Sequence, residues 1–125
     1  MKTLKKLGFA GMCLAVLLII VLNFSVSVKD VAQEGQNKPL GEIYGRRVVG
    51  QTFISRQANL DSVAVFLATY ARENTEDVIF RLRSSPESSV DIVTMVVNAR
   101  NIQDDHYYEF RFDPIDGSKG KAYYF

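Results

Sequence analysis

The chain has 125 residues, of which 15 are basic and 14 are acidic, and 47% of its residues are hydrophobic. Three of the basic residues lie before residue 7, so residues 29–125 carry 12 basic and 14 acidic side chains, a net charge near −2. Proteins that bind nucleic acid neutralise its phosphates with clustered lysine and arginine. The sequence therefore predicts no nucleic-acid partner.

The N-terminal region contains an almost unbroken apolar run over residues 7–28, which follows Lys2, Lys5 and Lys6. A helix of this length reaches about 30 Å, the thickness of the hydrocarbon core of a bilayer. Lysines before such a span favour a cytoplasmic N-terminus. We therefore predict a single-pass signal anchor in the cell membrane, with one transmembrane helix over residues 1–28. Residues 7–28 would contact lipid, and the C-terminal domain would be extracytoplasmic.

Cleavage of this segment as a signal peptide is the alternative. Ser25 and Ser27 are the small residues that a cleavage site needs, but the apolar run is long for a signal peptide and favours retention. Cys13, the one cysteine, lies inside the run, so the exported part forms no internal disulfide.

Residues 29–47 are polar and include Gly35, Pro39, Gly41 and Gly45, which predicts a linker that lifts the following domain off the membrane. Residues 48–125 form that domain. Within it, alternating apolar residues or runs of β-branched residues predict six strands, over residues 48–54, 60–70, 77–83, 90–99, 107–113 and 121–125.

The second of these segments is apolar on both faces, which predicts a central strand under a second layer. An amphipathic helix over residues 61–72 is the alternative, but the β-branched and aromatic residues favour a strand. Short strands separated by turn residues predict a mainly β fold, a small antiparallel β-sandwich.

The alternation also assigns side chains to faces. Val78, Phe80 and Leu82 are expected to point inward from the third strand. Tyr108, Phe110 and Phe112 share one face of the fifth.

The last strand ends in three aromatic residues, which natural proteins rarely leave at an open sheet edge. Either this strand is buried between neighbours, or the native chain continues past Phe125, and we favour the second alternative.

No catalytic constellation is present in the sequence. His106 is the one histidine, and its neighbours Asp104 and Asp105 are adjacent only in sequence, which seldom gives the geometry of an acid–base pair. These carboxylates, with Asp113 and Asp116, offer oxygen ligands for calcium, but their spacing does not match an EF-hand. We predict no catalytic residue, no cofactor and no metal site.

Aromatic and basic residues near the fifth and sixth strands are the candidates for ligand binding. Tyrosine rings stack on flat apolar faces such as those of sugars, and their hydroxyl groups form hydrogen bonds. Core packing is the competing explanation for the same residues. The predicted ligand-binding residues are Tyr107, Tyr108, Arg111 and Tyr123.

A further pattern runs through residues 50–125 and consists of Gln51-Thr52-Phe53, Leu60, Val63, Asn74, Phe80, Leu82, Phe110, Phe112, Pro114, Ile115, Ser118, Gly120, Lys121, Tyr123 and Phe125. Through these residues the segment resembles an exported β-sandwich module of uncharacterised bacterial membrane proteins, some of which are similar to membrane glycosyltransferases. The resemblance implies a jelly-roll, carbohydrate-binding-like fold with an accessory role, and it implies no particular catalytic or sugar-binding residue.

The combined prediction is a membrane-anchored β-sandwich that acts as a non-catalytic binding or accessory module for a glycan or a neighbouring membrane protein. The alternative is the N-terminal part of a multi-spanning enzyme similar to a glycosyltransferase, with its active site downstream. A third hypothesis is that the protein is a purely structural or assembly subunit of a membrane complex.

Overall fold

The computed structural model describes residues 29–32 and 39–125, and its secondary structure is almost entirely β. The strands are β1 (Thr52–Ile54), β2 (Leu60–Leu67), β3 (Asp77–Leu82), β4 (Val93–Asn98), β5 (His106–Ile115) and β6 (Ala122–Tyr124), with one 3₁₀ turn at Ala99–Asn101. The mainly β prediction is confirmed. The predicted membrane span lies outside the described residues, among which no helix is long and apolar enough to cross a membrane.

The six strands form three antiparallel pairs, β1 with β6, β2 with β5 and β3 with β4. Two of the pairs are joined just after β3. Arg83 and Tyr124 exchange two backbone hydrogen bonds, of 2.7 and 2.8 Å, and form an isolated antiparallel bridge. This bridge places the end of β3 beside β6.

The aromatic strand β6 therefore has a neighbour on each side. Tyr124 pairs with Thr52 of β1 and, across its other edge, with Arg83. Gln51 and Phe125 continue the pairing with β1 through two further backbone hydrogen bonds. This arrangement matches the first alternative given in the sequence analysis, in which the aromatic strand lies between neighbouring strands. Continuation of the chain past Phe125 stays a prediction.

The core lies between the β2–β5 pair and the other strands. Phe80 of β3 stacks on Phe110 of β5, with ring centroids 4.3 Å apart and planes inclined by 11°. Phe125 lies 6.2 Å from Phe80, so the C-terminal aromatic residues join the same cluster. The buried hydrophobic residues are Val63, Phe80, Leu82, Val97, Ile102, Phe110 and Tyr123.

The side-chain faces predicted for β3 and β5 are confirmed. Phe80 and Leu82 are buried and Val78 is half-buried, whereas Ile79 and Arg81 are exposed. On β5, Phe110 is buried between the half-buried side chains at 108 and 112, and the side chains at 107, 109 and 111 are exposed.

The central position predicted for β2 is wrong, because among residues 39–125 β2 pairs with β5 alone. Its second apolar face has a local explanation. Phe66 packs edge-on against Tyr107 of the paired strand, with centroids 5.3 Å apart. Phe66, whose aromatic side chain suggested a second layer, thus contacts a residue of the strand with which β2 pairs.

Several strand ends also differ from the predicted ones. β2 ends at Leu67 because Tyr70 and Ala71 adopt positive φ angles of 55° and 54°, which no strand residue has. β5 continues through Pro114 to Ile115, beyond the predicted end at residue 113. The register with β2 shifts between Leu60 and Ser62, and such an irregularity accommodates a residue that has no N–H to donate.

Candidate functional site

The outer face of the β2–β5 pair places one aromatic and two charged side chains of β5 in a row. Tyr107, Glu109 and Arg111 point outward at every second residue of the strand. Their cross-strand partners on β2 are Phe66, Ala64 and Ser62, respectively. We call this row the outer strip. Small residues opposite the charged pair leave its polar groups accessible beside one aromatic platform.

Tyr107 is the exposed end of the outer strip, with 56% of its surface accessible. Phe66 supports its ring from the neighbouring strand. A tyrosine side chain has only two χ angles, and the packed Phe66 ring restricts them further. Ligand binding would therefore cost little conformational entropy at the Tyr107 ring. A flat partner that stacks on the ring would therefore meet a surface that is already oriented.

An open depression of about 210 Å³ adjoins Tyr107 where β5 begins. Its walls are Asn101, Gln103, His106, Tyr107, Tyr108 and Glu109. Amide side chains supply both donors and acceptors, and a carboxylate accepts. The depression thus combines two tyrosine side chains with polar groups, which are the residue types that contact a polar, ring-shaped ligand.

The charged pair of the outer strip is largely solvated. The Arg111 guanidinium donates to the Glu109 carboxylate at 2.7 Å, and 61% and 38% of the two side chains are accessible. Exposed ion pairs of this kind contribute roughly 0–1 kcal/mol to stability. The pair is therefore available to exchange its mutual contact for contacts with a ligand.

The four residues predicted as ligand-binding do not share one surface. Tyr107 and Arg111 lie on the outer strip, and Tyr108 is half-buried, with its ring 4.9 Å from Phe110, and lines the depression. Tyr123 is buried in the core, where it packs against Phe53 at 5.8 Å. Asn101 and Gln103 were not singled out in the sequence. They belong to the short connection that leads directly into β5, and this adjacency is the signal that could have found them.

The arginines of β3 are paired with an acidic residue of the loop before β4. The Arg83 guanidinium donates to Asp91 at 2.5 Å, and Arg81 lies 3.6 Å from the same carboxylate. The hydrogen bond from Arg83 lowers the pKa of Asp91 below its ordinary value, against the opposing effect of desolvation. This charge compensation makes the outer face of β3 a weaker anion-binding surface than its arginines alone would suggest.

His106 and the nearby aspartates form no acid–base or metal arrangement. The His106 ring nitrogen Nδ1 lies 2.6 Å from the backbone oxygen of Asp104, so its neighbour is a carbonyl group and not a carboxylate. Among residues 29–32 and 39–125, no three histidine, cysteine, aspartate or glutamate side chains are grouped to hold a metal ion.

Asp104 has a structural role that the sequence did not predict. Its carboxylate accepts hydrogen bonds from three consecutive backbone N–H groups, those of Thr69 at 2.5 Å, Tyr70 at 2.8 Å and Ala71 at 2.9 Å. Positive φ angles at Tyr70 and Ala71 turn these N–H groups toward one point. The carboxylate thus fixes the loop after β2 against the loop before β5, beside the depression.

We expect this contact to make stability depend on pH. Desolvation raises the pKa of Asp104, but the three backbone donors outweigh it and hold the pKa below its ordinary value of 3.8. A carboxyl group whose pKa is lower in the folded protein stabilises the fold above the unfolded-state pKa and loses that effect as pH falls through the folded pKa. Asp104→Asn should therefore lower the melting temperature at neutral pH, and the difference from wild type should shrink below about pH 4.

Thermal unfolding over a pH series checks this, with Asp105→Asn as the matched control. Asp105 is exposed and has a positive φ angle, which asparagine tolerates. A difference between Asp104→Asn and wild type that did not change with pH would contradict the assignment.

A second open depression, of about 410 Å³, is lined by the loop after β2 and the turn after β4. Arg72, Glu73, Asn74 and Arg100 contribute its polar groups. The Arg72 guanidinium also donates to Glu42 at 2.8 Å, so the segment before β1 contacts the same end of the molecule. Both depressions thus lie at the end of the β2–β5 pair where β2 ends and β5 begins.

Comparison of the chain with protein-family models, with curated proteins and with solved structures gave no match.

Proposed function

We propose that this protein is a membrane-anchored, extracytoplasmic β-sandwich that binds a glycan and catalyses no reaction. The apolar run over residues 7–28 supports the anchor, and the three lysines before it support a cytoplasmic N-terminus. Both features belong to the sequence and are independent of the fold.

The sandwich architecture is supported by two contacts. The Arg83–Tyr124 bridge joins β1, β6, β3 and β4 edge to edge. The stack of Phe80 on Phe110 then packs this layer against the β2–β5 pair. Two antiparallel layers with aromatic residues between them are the arrangement of a small sandwich.

Glycan binding is proposed on one observation, an exposed and supported Tyr107 ring beside a depression with amide and carboxylate walls. A sugar ring presents an apolar face for stacking and hydroxyl groups that donate and accept. The Tyr107 ring would stack on the apolar face of the sugar, and Asn101, Gln103 and Glu109 would form hydrogen bonds with its hydroxyl groups.

The test is binding of the full-length protein, held in lipid nanodiscs, to an array of bacterial cell-surface oligosaccharides. We expect Tyr107→Ala to weaken binding at least about fivefold, since removing an aromatic hot-spot side chain costs more than about 1 kcal/mol. Tyr44→Ala is the matched control, because Tyr44 is also exposed but lies outside the outer strip. Absence of binding to every oligosaccharide on the array, or equal binding by Tyr107→Ala and wild type, would refute the proposal.

Binding of a neighbouring protein is the second candidate, and a different surface favours it. Ile79 and Val96 are directly opposed on β3 and β4, and both are exposed. Among the described strands, β4 pairs with β3 alone, so its other edge is open to a further strand. Loss of a co-purifying partner in Val96→Lys, with glycan binding retained, would favour this candidate.

A further inference from the structure

We infer that one corner of the domain lies against anionic lipid headgroups, so that the outer strip's Tyr107 end faces away from the membrane. The corner consists of the loop after β1, residues 55–59, and the turn before β6, residues 116–121. The inference rests on the proposed membrane anchor and does not depend on glycan binding.

The first step is a contact between this corner and the residues that follow the apolar run. The Asp30 carboxylate oxygen Oδ2 accepts hydrogen bonds from the backbone N–H groups of Arg56 at 2.6 Å and Gln57 at 3.2 Å. The Ser55 hydroxyl lies 3.2 Å from the same oxygen. Asp30 is two residues beyond the end of the run, and two residues span at most roughly 7 Å. With residues 7–28 in the bilayer, the loop after β1 is therefore held at the membrane surface. On this inference residues 29–47 do not lift the domain off the membrane, as the sequence predicted, because Asp30 binds the domain directly.

The second step is that the two parts of the corner are fixed to each other. Ser55 exchanges backbone hydrogen bonds with the turn before β6, to Lys121 O at 3.0 Å and from Gly120 N at 2.7 Å. The buried Ser118 hydroxyl donates to Gln57 O at 3.1 Å and accepts from Leu60 N at 2.9 Å. Contact of the loop with the membrane therefore brings the turn to the same surface.

The third step is the charge of the corner. Arg56, Lys119 and Lys121 are exposed on it, against two acidic side chains, Asp116 of the turn and Asp30, whose carboxylate is hydrogen-bonded to the loop. Residues 29–125 as a whole carry more acidic than basic side chains, whereas basic side chains are in the majority at this corner. Lysine and arginine at a membrane surface are attracted to the phosphates of anionic lipids. The partner that fits the corner is thus an anionic bilayer surface.

The geometry also orients the candidate ligand site. β2 begins at Leu60, beside the corner, and ends at Leu67, opposite His106 at the depression. Eight strand residues span about 25 Å. Headgroup contact at the corner leaves the Tyr107 end exposed to ligands outside the membrane.

The experiment measures the distance of two matched positions from the headgroups. Cys13→Ala is combined with Gln57→Cys at the corner or with Gln103→Cys at the far end, and each protein carries a fluorophore on its new cysteine. The proteins are reconstituted in phosphatidylcholine vesicles, with or without phosphatidylglycerol, that contain a lipid with a quencher on its headgroup. We expect quenching at position 57 to be several-fold stronger than at 103 and to increase with phosphatidylglycerol.

Charge reversal separates headgroup attraction from simple proximity. A triple variant with Arg56→Glu, Lys119→Glu and Lys121→Glu should abolish the response to phosphatidylglycerol at position 57. The control triple, Arg46→Glu, Arg72→Glu and Arg100→Glu, makes the same change of charge away from the corner and should retain the response.

Equal quenching at positions 57 and 103, or a phosphatidylglycerol response that survives the corner triple variant, would overturn the inference. Flotation of the vesicles after alkaline washing is measured on the same samples. If the protein is washed off the vesicles, both the anchor and this inference are overturned. If the protein stays on the vesicles but the fluorophore at position 57 is not quenched, only the orientation is overturned.

Discussion

Phe110→Ala is expected to lower the free energy of unfolding by about 3–5 kcal/mol, the usual cost of removing a buried phenylalanine ring. Phe110 is 2% exposed and stacks on Phe80 across the interface between the β2–β5 pair and the remaining strands. The total stability of a small domain is about 5–15 kcal/mol. The substitution should therefore shift the urea midpoint far toward lower concentration.

Urea unfolding of the full-length protein in nanodiscs, followed by far-ultraviolet circular dichroism, measures this effect. Ile79→Ala is the control, because it removes a large apolar side chain from an exposed position of β3. Its cost should stay within about 1 kcal/mol. A loss below about 1 kcal/mol for Phe110→Ala would mean that the stack does not join the β2–β5 pair to the remaining strands.

Ser118→Ala is expected to cost about 1–3 kcal/mol, although it removes a single oxygen atom. Ser118 is 0% exposed, and its hydroxyl joins the backbone N–H of Leu60 to the backbone carbonyl of Gln57. Alanine leaves a buried donor and a buried acceptor without this partner, and the desolvation cost of both is then uncompensated.

Ser88→Ala is the matched control for this hydroxyl deletion. The Ser88 hydroxyl also bonds locally, to the backbone of Val90, but in an exposed loop where water replaces the lost partner. The same urea titration should show a cost within about 0.5 kcal/mol for Ser88→Ala. Equal costs for the two variants would contradict the role assigned to Ser118.

The strand faces were predictable because they depend only on local alternation. A period of two assigns Phe80 and Leu82 to one side of β3, and a one-residue slip would expose both of them. The same reasoning placed Tyr107 and Arg111 on the outer face of β5, where the structure has them.

The ends of the strands were less predictable because distant residues determine them. β2 stops where a carboxylate more than 30 residues away, that of Asp104, captures the N–H groups of residues 69–71. No local pattern marks Tyr70 for a positive φ angle, and its aromatic ring favours a strand. The prediction therefore continued β2 three residues too far.

The candidate site was predictable only in part. Alternation shows that one of Tyr107 and Tyr108 is exposed, but it gives no information on the turn that supplies Asn101 and Gln103. Tyr123 was equally ambiguous, because its burial depends on the bridge between β6 and Arg83, a contact between residues 41 positions apart. Such pairings follow from topology and not from local sequence.

The measurement that tests the central claim most directly is amide hydrogen exchange of the full-length protein in nanodiscs, with and without the oligosaccharide that binds best on the array. The account predicts slower exchange in residues 101–109, at the Tyr107 end, with little change in β3 and β4. Protection confined to residues 79–96, or no protection anywhere in residues 39–125, would contradict glycan binding at this site.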